Sequence, residues 1–318
     1  MSLTLSQSKA RCSFMGTTTL KKARHDFSML GLQLLLIALA IAAIQIVSSL
    51  ILTACAPNLA ENYNVYFLAS MLPYYAVGIP GVLHLLKRQN ISPSPEHRMS
   101  FRQWLAAFCI SYGFMYVSNV FGLFLTQIIG IIKGSPVENV IEEVALDLNP
   151  LVAALCMVIL APIFEELLFR KFIIEKTVKY GEGIAIVISA LSFGLFHGNF
   201  NQFAYAFSLG LFWGFIYVKT RKIKYTIWMH MVINFMGSVL PLLMLSSPDQ
   251  NLLFYILFIF LLVISGLVLF FSNRKKMHLD AGEIVIPKGR RFCTVILNVG
   301  MLLNILFWSA QIVIQLFR

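Results

Sequence analysis

The chain has 318 residues, 58% of them hydrophobic and only 12% charged, with a mean hydropathy of +0.79. A soluble domain of this size has no use for so much apolar surface, whereas a polytopic helical membrane protein presents it to lipid. The net charge of +11 falls in short clusters between apolar stretches, with no basic face and no nucleic-acid motif, so nucleic acid is excluded as a partner.

After a polar N-terminal segment (1–28), nine stretches are long enough to cross ~30 Å of hydrocarbon as helix. They are 29–55, 65–86, 104–132, 150–176, 183–200, 202–219, 225–246, 251–272 and 292–316. The expected fold is all-α, a polytopic membrane bundle of about nine transmembrane helices. In the first stretch, Leu52-Thr53-Ala54-Cys55 resembles a lipoprotein cleavage box. Its apolar core exceeds the about 7–15 residues of a signal peptide, so a retained anchor is expected. The third stretch either tilts or ends early near Gly130. Between the third and fourth, 135–149 carries Glu138, Glu142, Glu143 and Asp147 beside apolar residues near helical spacing. That pattern fits an interfacial amphipathic helix or a solvated loop equally. Residues 277–291 read as a polar linker with a short extended piece at Glu283–Ile286. The chain thus divides into the 1–28 segment, N-terminal helices with an acidic loop (29–149), a core (150–246) and C-terminal helices (247–318). The five cysteines are scattered without metal or disulfide spacing and read as packing residues.

Basic residues alternate with these stretches. One side collects Lys21, Lys22, Arg24, Lys87, Arg88, Lys176, Lys179, Lys219, Lys224, Arg274, Lys275 and Arg290, with others, while the opposite side has only Lys133 and Arg318. The positive-inside rule then puts the N-terminus in the cytoplasm and the C-terminus outside, in a plasma membrane.

Ionisable residues inside apolar spans are functional candidates, because a charge at a bilayer centre costs roughly 2.5–3.5 kcal/mol on insertion scales. Glu165, Glu166, Arg170, His197 and His230 are of this kind. Neighbouring helical residues differ by about 100°, so Glu165 and Glu166 face different ways. Glu166 is one turn from Arg170 and able to pair with it, whereas Glu165 needs partners on other helices. His230 and Asn234 are again one turn apart and share a face. The depths of Glu165, His197, His230 and Asn234 along their spans permit convergence near mid-membrane. The plainer alternatives are flanking charges at the interface for the glutamates, a packed histidine at 197, and a helix-to-helix hydrogen-bonding pair at 230 and 234.

In this order the clusters resemble the three motifs of the CAAX protease and bacteriocin-processing (CPBP, Abi) family of intramembrane proteases. EExxxR stands as Glu165, Glu166 and Arg170, FxxxH as Phe193 and His197, and HxxxN as His230 and Asn234. Each motif is short, but three in order on separate spans are specific; the resemblance covers roughly 150–246. It implies peptide-bond hydrolysis in a membrane-embedded cavity. Glu165 and His197 would activate a water, His230 and Asn234 would stabilise the oxyanion, and Glu166, Arg170 and Phe193 would support them. The implied partners are membrane lipid and a membrane-associated peptide or lipidated protein, as in CaaX prenyl-protein processing, bacteriocin processing or immunity. No cofactor is expected, the alternative being a zinc held by Glu165, His197 and His230 with an open water position. The HExxH zinc helix is absent. Two other classes compete. A non-catalytic scaffold or immunity factor of the same fold is expected to have lost a motif residue, and a proton-coupled transporter to show inverted repeats; neither is found in the sequence. Reporter fusions after Lys224 and at the C-terminus are expected to land on opposite sides of the membrane. Two cytoplasmic signals would remove the last span.

Overall fold

The computed structural model describes residues 3–87, 95–137, 147–245 and 250–317, and the regular structure among them is helical throughout. Among the described residues nine helical segments of fifteen residues or more follow one another: α1 (Leu3–Cys55), α2 (Tyr63–Lys87), α3 (Phe101–Lys133), α4 (Pro150–Tyr180), α5 (Glu182–Phe196), α6 (Phe200–Thr220), α7 (223–245), α8 (Gln250–Asn273) and α9 (Val299–Leu316). By length and composition, α1 to α4, α8 and α9 contain spans apolar enough to cross a membrane. The chain forms a multi-pass helical membrane bundle.

The starts are encoded locally. The Ser100 hydroxyl accepts from the Gln103 N–H and the Gln103 side chain accepts from the Ser100 N–H, closing a capping box at α3. Asn149 caps α4 ahead of Pro150, while Asn199 caps α6 and Asn298 caps α9. Several expected boundaries shift. α1 begins at Leu3, so helix already occupies most of the 1–28 segment. α3 passes Gly130 and stops at Gly134, whose φ of 81° suits glycine and whose N–H donates to the Gly130 carbonyl. The expected 292–316 span is broken: a short turn at Arg291–Val295 precedes α9, because the Asn298 side chain accepts from Met301 N–H and restarts the helix there. No strand forms at Glu283–Ile286. Residues 138–146, the centre of the acidic segment, lie outside the described residues.

α5 departs most from expectation. Fifteen residues rise about 22 Å, short of the ~30 Å needed to cross. The chain turns at His197 and Gly198, where φ is +64°, and returns as α6. Polar side chains satisfy this turn. Asn199 Nδ2 donates to the His197 carbonyl at 3.0 Å and to Gln202 Oε1 at 2.6 Å, and Gln202 Nε2 donates to the Tyr205 hydroxyl at 2.6 Å. Such side-chain cover is what irregular backbone requires in a low-dielectric setting.

α4 sits at the centre, packed by α2, α5, α6 and α7. α5 and α6 pack closely because Gly210 rests on Ala190, Gly214 on Ile186, and Gly194 on Phe203 and Phe207. This is the use of the small-residue spacing on these helices, although Gly198 lies beyond the end of α5. Two other crossings bring backbones into contact. A Cβ at Gly300 of α9 would stand 1.8 Å from the Ser28 carbonyl oxygen of α1, and one at Gly266 of α8 would stand 2.0 Å from that of Cys109 on α3. Overpacking a close contact costs typically about 1–3 kcal/mol. Gly300→Ala and Gly266→Ala are therefore expected to lower the unfolding temperature in detergent, while Gly289→Ala, which meets nothing within 4 Å, leaves it unchanged.

Candidate active site

The site grows from an irregularity in α4. Its hydrogen bonding widens to the i to i+5 pattern over Ala154–Leu160, returns to α over Ala161–Glu165, and widens again over Glu166–Ile174. Pro162 explains part of this, since it has no N–H to donate. The Ala161 N–H already reaches the Cys156 carbonyl in the widened pattern. The next bond in that series would come from residue 162 to the Met157 carbonyl, and proline cannot make it. Asn234 of α7 supplies the missing donor, with Nδ2 2.8 Å from Met157 O. Widened turns of this kind recur at functional sites.

Glu166 and Arg170 are both completely buried, and Arg170 Nε lies 3.2 Å from a Glu166 carboxylate oxygen. The guanidinium stacks on aromatic faces, 4.1 Å from the Phe193 centroid and 5.3 Å from that of Trp213. Trp213 is held in turn by Nε1 donating to Ser111 Oγ of α3 at 3.0 Å. His230 of α7 enters this pocket between Trp213, at 4.7 Å between centroids, and Phe193, at 5.8 Å.

His230 joins the two glutamates. Its Nδ1 lies 3.1 Å from Glu166 Oε1, and its Nε2 lies 3.6 Å from Glu165 Oε2. The 100° divergence of Glu165 and Glu166 holds, and one imidazole spans it because its two nitrogens point in opposite directions. An ionised Glu166 beside Arg170 accepts from Nδ1–H, which turns Nε2 toward Glu165. At 3.6 Å the Nε2–Glu165 contact is longer than a hydrogen bond, and Glu165 Oε2 has no hydrogen-bond partner among the described residues.

His197 is set differently. Its Nδ1 lies 2.8 Å from the Phe193 carbonyl, and a carbonyl only accepts, so Nδ1 carries a hydrogen and the neutral ring keeps its lone pair at Nε2. Its ring meets Phe193 edge-on at 4.9 Å. His197 also lies within electrostatic range of His230 and Arg170. Phe193 thereby packs against His197, His230 and Arg170 at once.

Three groups near the cluster are not marked by any motif. Tyr74 and Tyr75 of α2 and Tyr205 of α6 all lie within electrostatic range of Glu165. In the sequence only the paired phenols in an apolar helix hint at them. Of the aromatics around the motifs, Phe164, Phe169, Phe193 and Trp213 are buried packing, while Trp228 and Phe235 are exposed.

Among the described residues, no three His, Cys, Asp or Glu side chains are grouped to hold a metal ion. Both His230 nitrogens face carboxylates and His197 Nδ1 faces a carbonyl.

Residues 147–236, which hold all seven motif residues, match the sequence profile of the family described as Type II CAAX prenyl endopeptidase Rce1-like. The similarity to the CAAX protease family lies in these residues. A curated Bacillus subtilis (strain 168) protein, "Putative membrane peptidase YdiL", is 30% identical over 99 residues, covering 30% of this chain and 38% of that protein. The chain thus matches well under two thirds of that relative's length. No solved structure matches the chain.

Within the matched residues, the ion pair and the Asn234 contact carry separable stability. Removing one partner of a buried pair costs about 3–5 kcal/mol, and leaving a buried carbonyl unsatisfied about 1–3 kcal/mol. Arg170→Met is expected to destabilise severely, and the double change with Glu166→Gln to recover part of the loss in thermal unfolding. Asn234→Ala should show the smaller loss.

Proposed function

We propose that the protein is an intramembrane endopeptidase that hydrolyses a peptide bond of a membrane-associated peptide or lipidated protein, using a water activated by Glu165 and His197. The observation that carries this reading is the packing of His230 of α7 against Glu165 and Glu166 of α4, with His197 of α5 joined to it through Phe193. The family match over the same residues supports it.

In the proposed reaction, a water between Glu165 and His197 Nε2 loses a proton to this pair as its oxygen adds to the scissile carbonyl. The carbonyl oxygen becomes an oxyanion, and a protonated His230 donates to it from Nε2–H. Glu166 at Nδ1 orients that ring, and Arg170 pairs with Glu166. Asn234 has a second amide hydrogen beyond the one given to Met157 and is the other proposed donor. Collapse of the tetrahedral intermediate breaks the C–N bond, and the proton taken from water passes to the leaving amine. No metal is assigned a step. The proposed setting is a plasma membrane with the N-terminus in the cytoplasm, and the substrate is a prenylated CaaX-type protein or an unmodified membrane peptide.

The test is cleavage, by purified full-length protein in lipid, of a farnesylated CaaX peptide and of an unmodified membrane peptide. Glu165→Gln is expected to abolish turnover while retaining the wild-type unfolding temperature. His197→Ala should lower kcat by about 10²–10⁴-fold, and Asn234→Ala by about 10²–10³-fold with little change in KM. Undiminished cleavage by Glu165→Gln would overturn the assignment. Loss of activity on chelation, restored by zinc, would replace the metal-free version.

A further inference from the structure

A cavity lies away from the glutamate and histidine cluster. It measures about 620 Å³ and is enclosed by the first half of α5, the Gly181 turn, the 279–286 linker and the turn at Arg291–Val295. Ile188 at its inner end is nine residues from His197, about 13 Å along the helix axis. The linker does not float free here, as a plain solvated connection would. The Glu182 carboxylate accepts from Asp280 N–H at 2.8 Å, Glu182 N–H donates to the Asp280 carbonyl at 3.2 Å, and Ile284 N–H donates to the Lys179 carbonyl at 2.9 Å. Gly282 approaches so closely that a Cβ there would lie 2.2 Å from Gly181 N.

The lining is apolar and stays open at its mouth, with Val187, Leu279, Val285 and Phe292 all exposed. The rim is basic. Residues 274–291 hold six cations (Arg274, Lys275, Lys276, Lys288, Arg290, Arg291) against two carboxylates, Asp280 and Glu283. Asp280 is already neutralised by Lys219 at 3.0 Å, and Lys219 also holds Glu182 at 2.7 Å. Arg291 lines the cavity. Its Nε donates to the Ile286 carbonyl at 3.2 Å, which fixes the guanidinium at the wall, and no carboxylate among the described residues pairs with it.

We propose that this cavity binds an anionic glycerophospholipid, with an acyl chain against Ile184, Val187 and Val285 and the phosphate on Arg291. The volume falls within the roughly 300–1,000 Å³ of small-molecule sites. The composition matches the ligand at both ends, an apolar slot for the chain and the carboxylate-free Arg291 for the headgroup. A bound lipid would bridge the linker to α5, the helix that ends at His197. The site is independent of the proposed hydrolysis.

The test uses delipidated full-length protein in neutral detergent, with phosphatidylglycerol or phosphatidylcholine of identical chains added as mixed micelles. Retention is read by native mass spectrometry and stability by thermal unfolding. Phosphatidylglycerol should be retained and should raise the unfolding temperature by several degrees, with phosphatidylcholine doing neither. Arg291→Gln should weaken the phosphatidylglycerol effect about fivefold. Val187→Trp, filling the slot from an exposed position, should abolish retention while keeping the wild-type helix content. Glycerophosphate, a headgroup without chains, should not compete. Equal retention of the two lipids, or a phosphatidylglycerol preference unchanged in both variants, would overturn the proposal. So would full competition by glycerophosphate, or stoichiometric displacement by a farnesylated peptide, which would give the cavity to a soluble phosphate or to a lipidated substrate.

Discussion

Two carboxylates and a guanidinium on one apolar helix set a neutrality condition for everything packed around them. Glu166 and Arg170 have no exposed surface, and the cost of desolvating such a pair is met only if geometry and neighbours are favourable. The neighbours are specific. Phe193 and Trp213 offer aromatic faces to the guanidinium, Ser111 fixes Trp213, and His230 takes up the free side of Glu166. Once His230 is bound there, its other nitrogen has one direction to point, and Glu165 stands in that direction. The candidate chemistry is therefore a consequence of how the structural charge is buried. The residue that organises the pocket, Glu166, differs from the one available to react, Glu165.

The same helix shows how a backbone defect is put to use. Pro162 leaves the Met157 carbonyl without its helical donor, and Asn234 fills the gap from α7. This contact locks α7 against α4 one turn beyond His230, so it also sets the depth at which the imidazole meets the two glutamates. Asn234 thus has a positioning role that is independent of any contact with substrate. A catalytic role for its remaining amide hydrogen is compatible with the first.

The short α5 has a parallel effect. A helix that ends before the far side of the hydrocarbon places its terminal histidine within the bundle, beside α4, and the polar turn of Asn199, Gln202 and Tyr205 satisfies the backbone exposed there. At the other end of α5 the chain is tied down by Lys219, Glu182 and the docked linker. The helix carrying the proposed base is therefore fixed at both ends by polar contacts and along its length by glycines against α6.

Much of this architecture is legible in the order of residues. The apolar runs specify the all-helical membrane fold, the i to i+4 spacing specifies the Glu166–Arg170 pair, and the three motifs mark the residues that meet. These are properties of local periodicity and of the cost of charge in hydrocarbon. The shared imidazole is not legible there, because whether His230 reaches one glutamate or both depends on the distance between α4 and α7. Nor is the free Nε2 of His197, which depends on a side-chain rotation about its own helix. Tyr74, Tyr75 and Tyr205 approach Glu165 only because α2 and α6 pack on α4. The linker reads as a solvated connection, since nothing in its composition announces hydrogen bonds to residues about a hundred positions earlier. Sequence determined which groups would be too costly to leave alone in the membrane; tertiary packing decided which of them would answer one another, because that depends on distances between helices that no single helix encodes.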